Sequence, residues 1–229
     1  HDLLMNKFNS IQKNAKEYYE DINPSLLNFC NSHFFLRPIV YKDLKTLFTW
    51  RNEPLVSKHL SSPPPESMDE QVQWYERYLR DSGSLHFMTM KRGPGDIPVG
   101  YCQLFKIDKD EKSAEFGIVI GNIEYMNSGL GYKLTVAFFK TAFTWLGFQV
   151  IYGCVHPKNK VSIKFHNDFM GSRFIEGPHK YRKDNELLFE VNKLIFESFE
   201  KKLLSRSKKW QDILNIEQTT PETINKDDK

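Results

Sequence analysis

The residues best suited to chemistry lie between Met126 and Gly131, in the sequence Met-Asn-Ser-Gly-Leu-Gly. Asn127 to Gly131 has the composition of a turn, and its two glycines can adopt positive φ. A β-branched and aromatic run, Glu115 to Ile120, precedes the turn and predicts a buried strand. After the turn, apolar residues recur at the spacing of a helix, namely Leu134, Val136, Ala137, Phe138, Ala142, Phe143 and Leu146. A strand, a glycine turn and a helix N-terminus direct backbone N–H groups at one point, which favours phosphate binding.

Two familiar phosphate loops do not match this turn. A Walker loop needs Gly-Lys-Ser/Thr, but Gly131 is followed by Tyr132. A dinucleotide fingerprint needs a third glycine and an acidic residue roughly 20 residues later, and neither Leu134 nor the stretch 148–150 supplies them. The turn therefore predicts a pyrophosphate loop of another kind. An ordinary glycine turn is the alternative, because Gly-x-Gly alone is a weak signal.

Composition excludes several classes of function. The chain has 229 residues and a net charge of +3, too mild and too evenly spread to favour a nucleic-acid partner. Its three cysteines lack metal-ligand spacing, so we expect no metal and a reducing, cytoplasmic environment. No apolar run approaches the roughly 20 residues of a membrane span, so we expect no membrane partner.

The two ends of the chain differ from its middle. Within residues 1–32 one apolar stripe predicts a helical extension, formed by Leu4, Phe8, Ile11, Ala15 and Tyr18. We expect this helix to cover the main domain, and a partner-binding or dimer-forming helix is the alternative. Residues 201–229 are polar and predict a partly disordered tail. Residues 33–200 then form the main domain.

Strand and helix patterns alternate through the main domain. Seven runs predict strands, namely Phe34–Val40, Leu85–Lys91, Val99–Ile107, Ala114–Gly121, Val150–Val155, Ser172–Glu176 and Leu187–Phe196. Four helices are predicted: one capped by Asp43, one beginning at Ser67 or Asp69, one after the glycine turn, and Asn159–Phe169. Because a helix links the fourth and fifth strands, we expect those two strands to pair in parallel.

A long loop between the first two helices contains three consecutive prolines, Pro63 to Pro65. Such a segment is stiff and extended. Its length and its position between two aromatic-rich helices predict a substrate lid, and a plain surface loop is the alternative.

Over roughly Phe34 to Phe196 this order of elements resembles the GNAT acyl-CoA N-acyltransferases. Several local motifs share the resemblance: Leu36-Arg37-Pro38, Trp50-Arg51-Asn52-x-Pro-x-Val, Glu115-x-Gly117, Gly129-x-Gly131 and Asn159. Two branches look most similar, one that acetylates an amino sugar on a nucleotide carrier in nonulosonic acid pathways and one that acetylates N-terminal amines of ribosomal proteins. The resemblance implies an α/β (α+β) fold: a mixed, mostly antiparallel sheet of about seven strands, a splayed parallel pair and flanking helices.

The resemblance also implies acetyl-CoA as co-substrate, without a metal. The family's pyrophosphate loop matches Met126, Asn127, Ser128, Gly129, Leu130, Gly131 and Tyr132, although Met126 stands where the family has Gln or Arg. In the family, pantetheine pairs with backbone groups of the fourth strand, which correspond to Ile118, Val119 and Ile120. Asn159 matches an asparagine that binds the pantetheine arm, and Ser162 is expected near the outer part of the ligand.

The acid and the base are expected from the same comparison. Many family members have a tyrosine seven residues after that asparagine, where it protonates the thiolate; this chain has His166 there, with a plain helix histidine as the alternative. Glu115 is the best-placed base, because it lies in the strand that contacts the thioester. A water relay, or a structural Glu115 paired with a lysine or an edge amide, is the alternative. His59 and His86 are lesser candidates for the base.

The expected function is an N-acetyltransferase that moves an acetyl group from acetyl-CoA to a primary amine by direct attack, with an amino sugar on a nucleotide carrier preferred. A protein N-terminal acetyltransferase of the ribosomal type is the alternative. A non-catalytic acyl-CoA-binding module is a second alternative. The expected partners are a small-molecule amine or a peptide N-terminus, with a homodimer left open.

Overall fold

A single mixed sheet organises the described part of the chain. The structure, a computed structural model, describes residues 28–81 and 83–219. Within these ranges the strands are β1 (Asn28–Cys30), β2 (Phe34–Pro38), β3 (Leu85–Lys91), β4 (Ile97–Asp108), β5 (Ser113–Ile120), β6 (Val150–Val155), β7 (Arg173–Ile175), β8 (Leu187–Asn192) and β9 (Glu217–Thr219). Their order across the sheet is β7-β8-β6-β5-β4-β3-β2-β1-β9. The predicted fold class is confirmed, because the seven predicted strands form the body of this sheet and β1 and β9 extend one edge.

Seven α-helices are described. They are α1 (Leu44–Asn52), α2 (Pro54–Ser57), α3 (Met68–Arg80), α4 (Leu130–Thr141), α5 (Lys160–Lys164), α6 (Lys193–Leu204) and α7 (Lys208–Leu214). Short π-helical segments, Ala142–Leu146 and Phe165–Met170, continue α4 and α5. In the described residues no helix is long and apolar enough to cross a membrane, and no group of three or more His, Cys, Asp or Glu residues could hold a metal ion.

Polar side chains determine where several helices begin. The Ser67 hydroxyl accepts from the N–H of Glu70 at the start of α3, so Ser67 rather than Asp69 is the cap. Asp43 precedes α1 as predicted, but its carboxylate accepts from the N–H of Val40 at 2.9 Å and pairs with Arg37 at 2.6 Å. Asp43 therefore anchors the turn before α1 to β2 and caps no helical N–H.

The parallel pair β5 and β6 is splayed. Its register covers only Ser113 to Glu115, which lie opposite Val150 to Tyr152. On its other edge β5 stays paired with β4 as far as Ile120, and β6 stays paired with β8 as far as Val155. From residue 116 onward, the β6-facing edge of β5 therefore has no strand partner. The predicted splay is confirmed, and it opens a gap inside the sheet.

Two apolar clusters cover opposite faces of the sheet. Phe116 and Ile118 of β5 pack with α4, α6 and α7 in the larger cluster. Val119 instead packs with α1 and α3, against Trp50 and Tyr75. Because side chains alternate along a strand, Glu115 and Gly117 share the face of Val119. The α1/α3 face of β5 is thus the one that carries its carboxylate.

The carboxyl-terminal part differs from the prediction. The predicted strand Leu187–Phe196 ends at Asn192, whose side chain accepts from the N–H of Ile195 and begins α6. Residues 201–219, expected to belong to the tail, contain the end of α6, α7 and β9, with Ile213, Leu214 and Ile216 buried. These apolar residues are spaced among many charges, so average composition concealed an amphipathic helix. The predicted helix within 1–32 and the rest of the tail lie mostly outside the described residues.

Candidate active site

The glycine turn between β5 and α4 has the geometry that its composition predicts. Asn127 and Gly129 both adopt left-handed backbone, with φ of 58° and 78°. The hydroxyl of Ser128 donates to the carbonyl of Tyr125 at 2.6 Å and accepts from the N–H of Leu130 at 3.3 Å. These contacts brace the turn from within, so its shape is set before any ligand arrives.

Backbone donors in this turn remain available. In the described residues, the N–H groups of Gly129, Gly131 and Tyr132 donate to no other backbone or side-chain group, as expected for the first turn of a helix. A Cβ placed on Gly131 would meet only Ile120 Cγ1, at 3.8 Å. The protein's own packing therefore leaves room for a side chain at position 131. Free amides and open space at a helix N-terminus fit a pyrophosphate group.

The splayed gap lies beside this turn. The predicted thioester contacts, Ile118, Val119 and Ile120, all fall in the part of β5 beyond its last pairing with β6. Alternate backbone groups of this stretch point toward the gap and have no partner from β6. An extended arm could pair with them as an added strand. The geometry thus suits the predicted contact, while the residue roles stay a prediction.

Helices α4 and α5 lie next to each other at the mouth of the gap. The Tyr132 ring stacks on Phe165 with centroids 4.5 Å apart, and its hydroxyl donates to the carbonyl of Val161. Asn159 caps α5, since its side-chain oxygen accepts from the N–H of Ser162 at 3.1 Å. Asn159, expected at the pantetheine arm, and Ser162, expected near the outer part of the ligand, are therefore hydrogen-bonded to each other, and their roles toward the ligand stay a prediction.

His166, the predicted acid, is a core residue. Its ring stacks on Phe189 with centroids 3.7 Å apart, and Nδ1 lies 3.3 Å from the hydroxyl of Ser172. Burial lowers the pKa of His166 to about 3, so the imidazole is neutral near pH 7. His166 lies in the π-helical segment Phe165–Met170, which ends at Gly171. His166 is thus enclosed by aromatic and hydroxyl groups, and its assignment as the acid stays a prediction.

Glu115, the predicted base, is completely buried. Its two carboxylate oxygens lie 2.6 Å from Nζ of Lys183 and 3.0 Å from Nζ of Lys106. This is the structural alternative that the sequence left open, a carboxylate paired with lysine. Lys183 is distant in sequence from Glu115, so no local pattern could have indicated that contact. Lys106 lies across the β4–β5 hairpin, next to Phe105, which pairs with Glu115. The assignment of Glu115 as base stays a prediction.

The two lesser base candidates lie in different surroundings. His86 packs edge-on against Trp74 and Tyr78, and burial lowers its pKa to about 4. His59 is exposed in the loop that follows α2. His86 therefore packs beside the α1/α3 cluster, and its position leaves it little contact with solvent.

The proline loop is held against the α1/α3 face. Arg51 donates to the hydroxyl of Ser62 at 2.9 Å and to the carbonyl of Pro63 at 3.0 Å, while Asn52 donates to the carbonyl of Pro65 at 3.1 Å. The hydroxyl of Ser61 donates to Glu186, at 3.0 Å. The proline loop thus meets the segment 176–186, which links β7 to β8. Sequence reasoning missed Glu186 because its partner lies 125 residues away.

Comparison with known proteins points to one family. The sequence model described as "Acetyltransferase (GNAT) domain" matches residues 33–168. Spermidine N(1)-acetyltransferase of Vibrio cholerae is 26% identical over 149 residues, which covers 65% of this chain and 83% of the relative. The enzyme of the same name from Escherichia coli K12 is 24% identical over 153 residues, covering 63% and 80%.

Solved structures share the fold. Spermidine N-acetyltransferase from Vibrio cholerae, solved in complex with CoA and spermine, aligns with a TM-score of 0.61 at 21% identity, covering 73% of this chain and 99% of that one. An uncharacterized protein from Bacillus halodurans aligns with a TM-score of 0.64 at 17% identity, covering 83% and 96%. At these identities the likeness establishes the arrangement of strands and helices alone.

Proposed function

This chain belongs to the GNAT acetyltransferase family, and we propose that its acceptor is a polyamine of the spermidine type. The activity class follows from the family: an acetyl group moves from acetyl-CoA to an amine. The observation that carries the acceptor proposal is the match to two spermidine N(1)-acetyltransferases across 80% or more of their length. Neither the amino-sugar branch nor the ribosomal branch expected from the sequence is supported by these comparisons, so polyamine replaces both.

The reaction is acyl transfer from a thioester to an amine. The amine nitrogen attacks the thioester carbonyl carbon, so a C–N bond forms while the C–S bond breaks, and the amine loses a proton as the thiolate gains one. The gap between β5 and β6 would hold the thioester arm, and the glycine turn would hold the pyrophosphate. An unpaired N–H of β5 could donate to the carbonyl oxygen as negative charge develops on it.

The α1/α3 face is the side from which the acceptor would approach. The proline loop and segment 176–186 meet on this face beside the gap.

Two cysteines in the described residues are free, Cys102 and Cys154. Free thiols are typical of a reducing compartment, which supports a cytoplasmic location as part of this proposal.

A thiol-release assay with acetyl-CoA tests the acceptor. The panel comprises spermidine, spermine, a diamine, a nucleotide-linked amino sugar and a peptide with a free N-terminus. We expect kcat/KM for spermidine to exceed that for the amino sugar and the peptide by about 100-fold or more, a ratio that charge-specific recognition can supply. Faster acetylation of the amino sugar or of the peptide would refute the polyamine proposal, and mass spectrometry of the product identifies the acetylated nitrogen.

A further inference from the structure

Glu186 lies where the proline loop meets segment 176–186. It belongs to segment 176–186, and its Oε1 accepts from the hydroxyl of Ser61 at 3.0 Å. The guanidinium of Arg182 donates to the backbone carbonyls of Gly177, Ile175 and Glu186, and not to the Glu186 carboxylate. The segment is therefore folded around Arg182, while the carboxylate of Glu186 is directed by Ser61 of the proline loop.

The second oxygen of this carboxylate has no partner. Oε2 of Glu186 is buried and accepts no hydrogen bond from the described residues, and no Lys, Arg or His nitrogen in the described ranges lies within 4 Å of it. Glu115, by contrast, has an ammonium group against each oxygen. A carboxylate oxygen without a donor is costly. The Glu186 side chain as a whole is only half-buried, so a ligand can supply the donor that this oxygen lacks.

The carboxylate is close to the gap. Cys154 lies on β6 two residues beyond Tyr152, the last residue paired with β5, and its thiol donates to the carbonyl of Tyr181 at 3.2 Å. Burial raises the pKa of this thiol first of all, and the negative charges of Glu115 and Glu186 raise it further. Glu186 directly precedes Leu187, which pairs with Val155 at the end of β6, so it lies next to the part of β6 that is no longer paired with β5.

The ligand that fits this group is a cationic amine. A carboxylate oxygen can only accept hydrogen bonds, and an ammonium group brings both positive charge and several N–H donors. A polyamine has more than one amine, so one nitrogen can be neutral and attack the thioester while another stays charged. We propose that Glu186, oriented by Ser61, binds a charged amine of the acceptor and positions the reacting nitrogen at the gap. This inference rests on the proposed function and names the residue that selects a polyamine.

Kinetics of Glu186→Gln test the role. For spermidine we expect KM to rise about 10- to 100-fold with kcat changed by less than about threefold, the range for removing one partner of a buried charge pair. For a monoamine such as n-butylamine, and for acetyl-CoA, kinetic constants should stay unchanged. Glu176→Gln is the matched control, since Glu176 lies in the same segment but is exposed; its constants should equal those of the unsubstituted protein.

A second variant tests the same role if Glu186→Gln folds poorly. Ser61→Ala retains the charge of Glu186 but removes the hydroxyl that orients it, so KM for spermidine should rise by a smaller factor, about 2- to 5-fold. Equal KM values for spermidine in both variants and the unsubstituted protein would overturn the role of Glu186. Failure of the unsubstituted protein to acetylate any polyamine would instead refute the proposed acceptor, so the two failures are distinguishable.

Discussion

Nζ of Lys183 lies 2.6 Å from the buried carboxylate of Glu115. This contact joins segment 176–186 to the middle of β5, beside the place where the parallel pair splays apart. A second ammonium group, that of Lys106, contacts the other oxygen of this carboxylate. The carboxylate that the sequence indicates as the base is thus held by two ammonium groups, whereas the proposed contact for an acceptor is Glu186.

Replacement of Glu115 by Gln should therefore affect stability more than the proton-transfer step. We expect a loss of about 1–3 kcal/mol in the free energy of unfolding, because two charge-assisted contacts to a buried group are removed. The pH dependence of kcat/KM should keep its shape. Glu111→Gln is the control, since Glu111 pairs with Lys180 at an exposed position, and such a pair contributes about 0–1 kcal/mol.

Urea unfolding and pH–rate profiles check this prediction together. A Glu115→Gln variant of normal stability that has lost an ionisation from its profile, with kcat/KM reduced by about 10²-fold or more, would show that Glu115 is the base after all.

Replacement of Gly131 by Ala should separate ligand binding from folding. A Cβ at position 131 meets no group closer than 3.8 Å, so the unfolding free energy should stay within about 0.5 kcal/mol of the original or rise slightly. The same methyl group enters the space where the pyrophosphate would approach the free amides. Calorimetry should show acetyl-CoA affinity at least about 10-fold weaker. Unchanged affinity would mean that this turn does not hold the cofactor.

Replacement of Gly129 by Ala tests the turn itself. Gly129 has φ of 78°, and left-handed backbone costs a residue with a Cβ about 1–2 kcal/mol. We expect both lower stability and weaker acetyl-CoA binding. Gly95→Ala is the matched control, because Gly95 has φ of 81° in the β3–β4 hairpin, with open space around it. This control should lose similar stability and bind acetyl-CoA normally.

The two buried histidines predict acid sensitivity. Burial lowers the pKa of His166 to about 3 and that of His86 to about 4, from an ordinary value of 6.5. Below pH 6.5 the unfolded chain protonates these residues while the folded chain does not, so the unfolded state binds more protons. Stability should therefore be complete above pH 6.5 and fall toward pH 4, by on the order of 1 kcal/mol per pH unit for each histidine.

The variant His166→Asn should show a shallower loss of stability over the same pH range, measured by thermal unfolding between pH 7 and pH 4. His59→Gln, at an exposed position, should leave the slope unchanged. We also expect kcat of His166→Asn at pH 7 to stay within about threefold of the original; a fall of about 10²-fold in a variant that remains folded would restore His166 as the general acid.

Replacement of Arg51 by Ala should loosen the proline loop. Arg51 donates to Ser62 and Pro63, and it also contacts the Tyr101 hydroxyl at 3.3 Å. With those contacts gone, we expect KM for the amine to rise about 5- to 50-fold while KM for acetyl-CoA stays the same, because a mispositioned binding loop weakens orientation of the acceptor. Arg80→Ala is the control, since Arg80 is exposed and its one ion pair within the described residues is with Glu76, at 3.7 Å. An equal rise in KM for the amine and for acetyl-CoA would show that the proline loop does not act on the acceptor specifically.

The sequence by itself determined the order of elements and the site of the glycine turn. Hydrophobic period, turn residues and helix caps act between residues close in the chain, so Gly129 and the strand before it could be recognised without coordinates. The parallel pairing of β5 and β6 also followed, because a crossover helix between two strands of one sheet permits little else. The separation of β5 from β6 beyond their first three residue pairs was expected only from the resemblance to the family.

Only the tertiary structure decided what the titratable side chains can do. Glu115 and Lys183, or Ser61 and Glu186, are separated by long stretches of chain, and their contacts depend on how two loops fold over the sheet. Burial likewise lowers the pKa of His166, and burial is a property of packing that no local pattern contains. The same holds for α7 and the residue before β9, because Ile213, Leu214 and Ile216 gain stability only from the core that they cover.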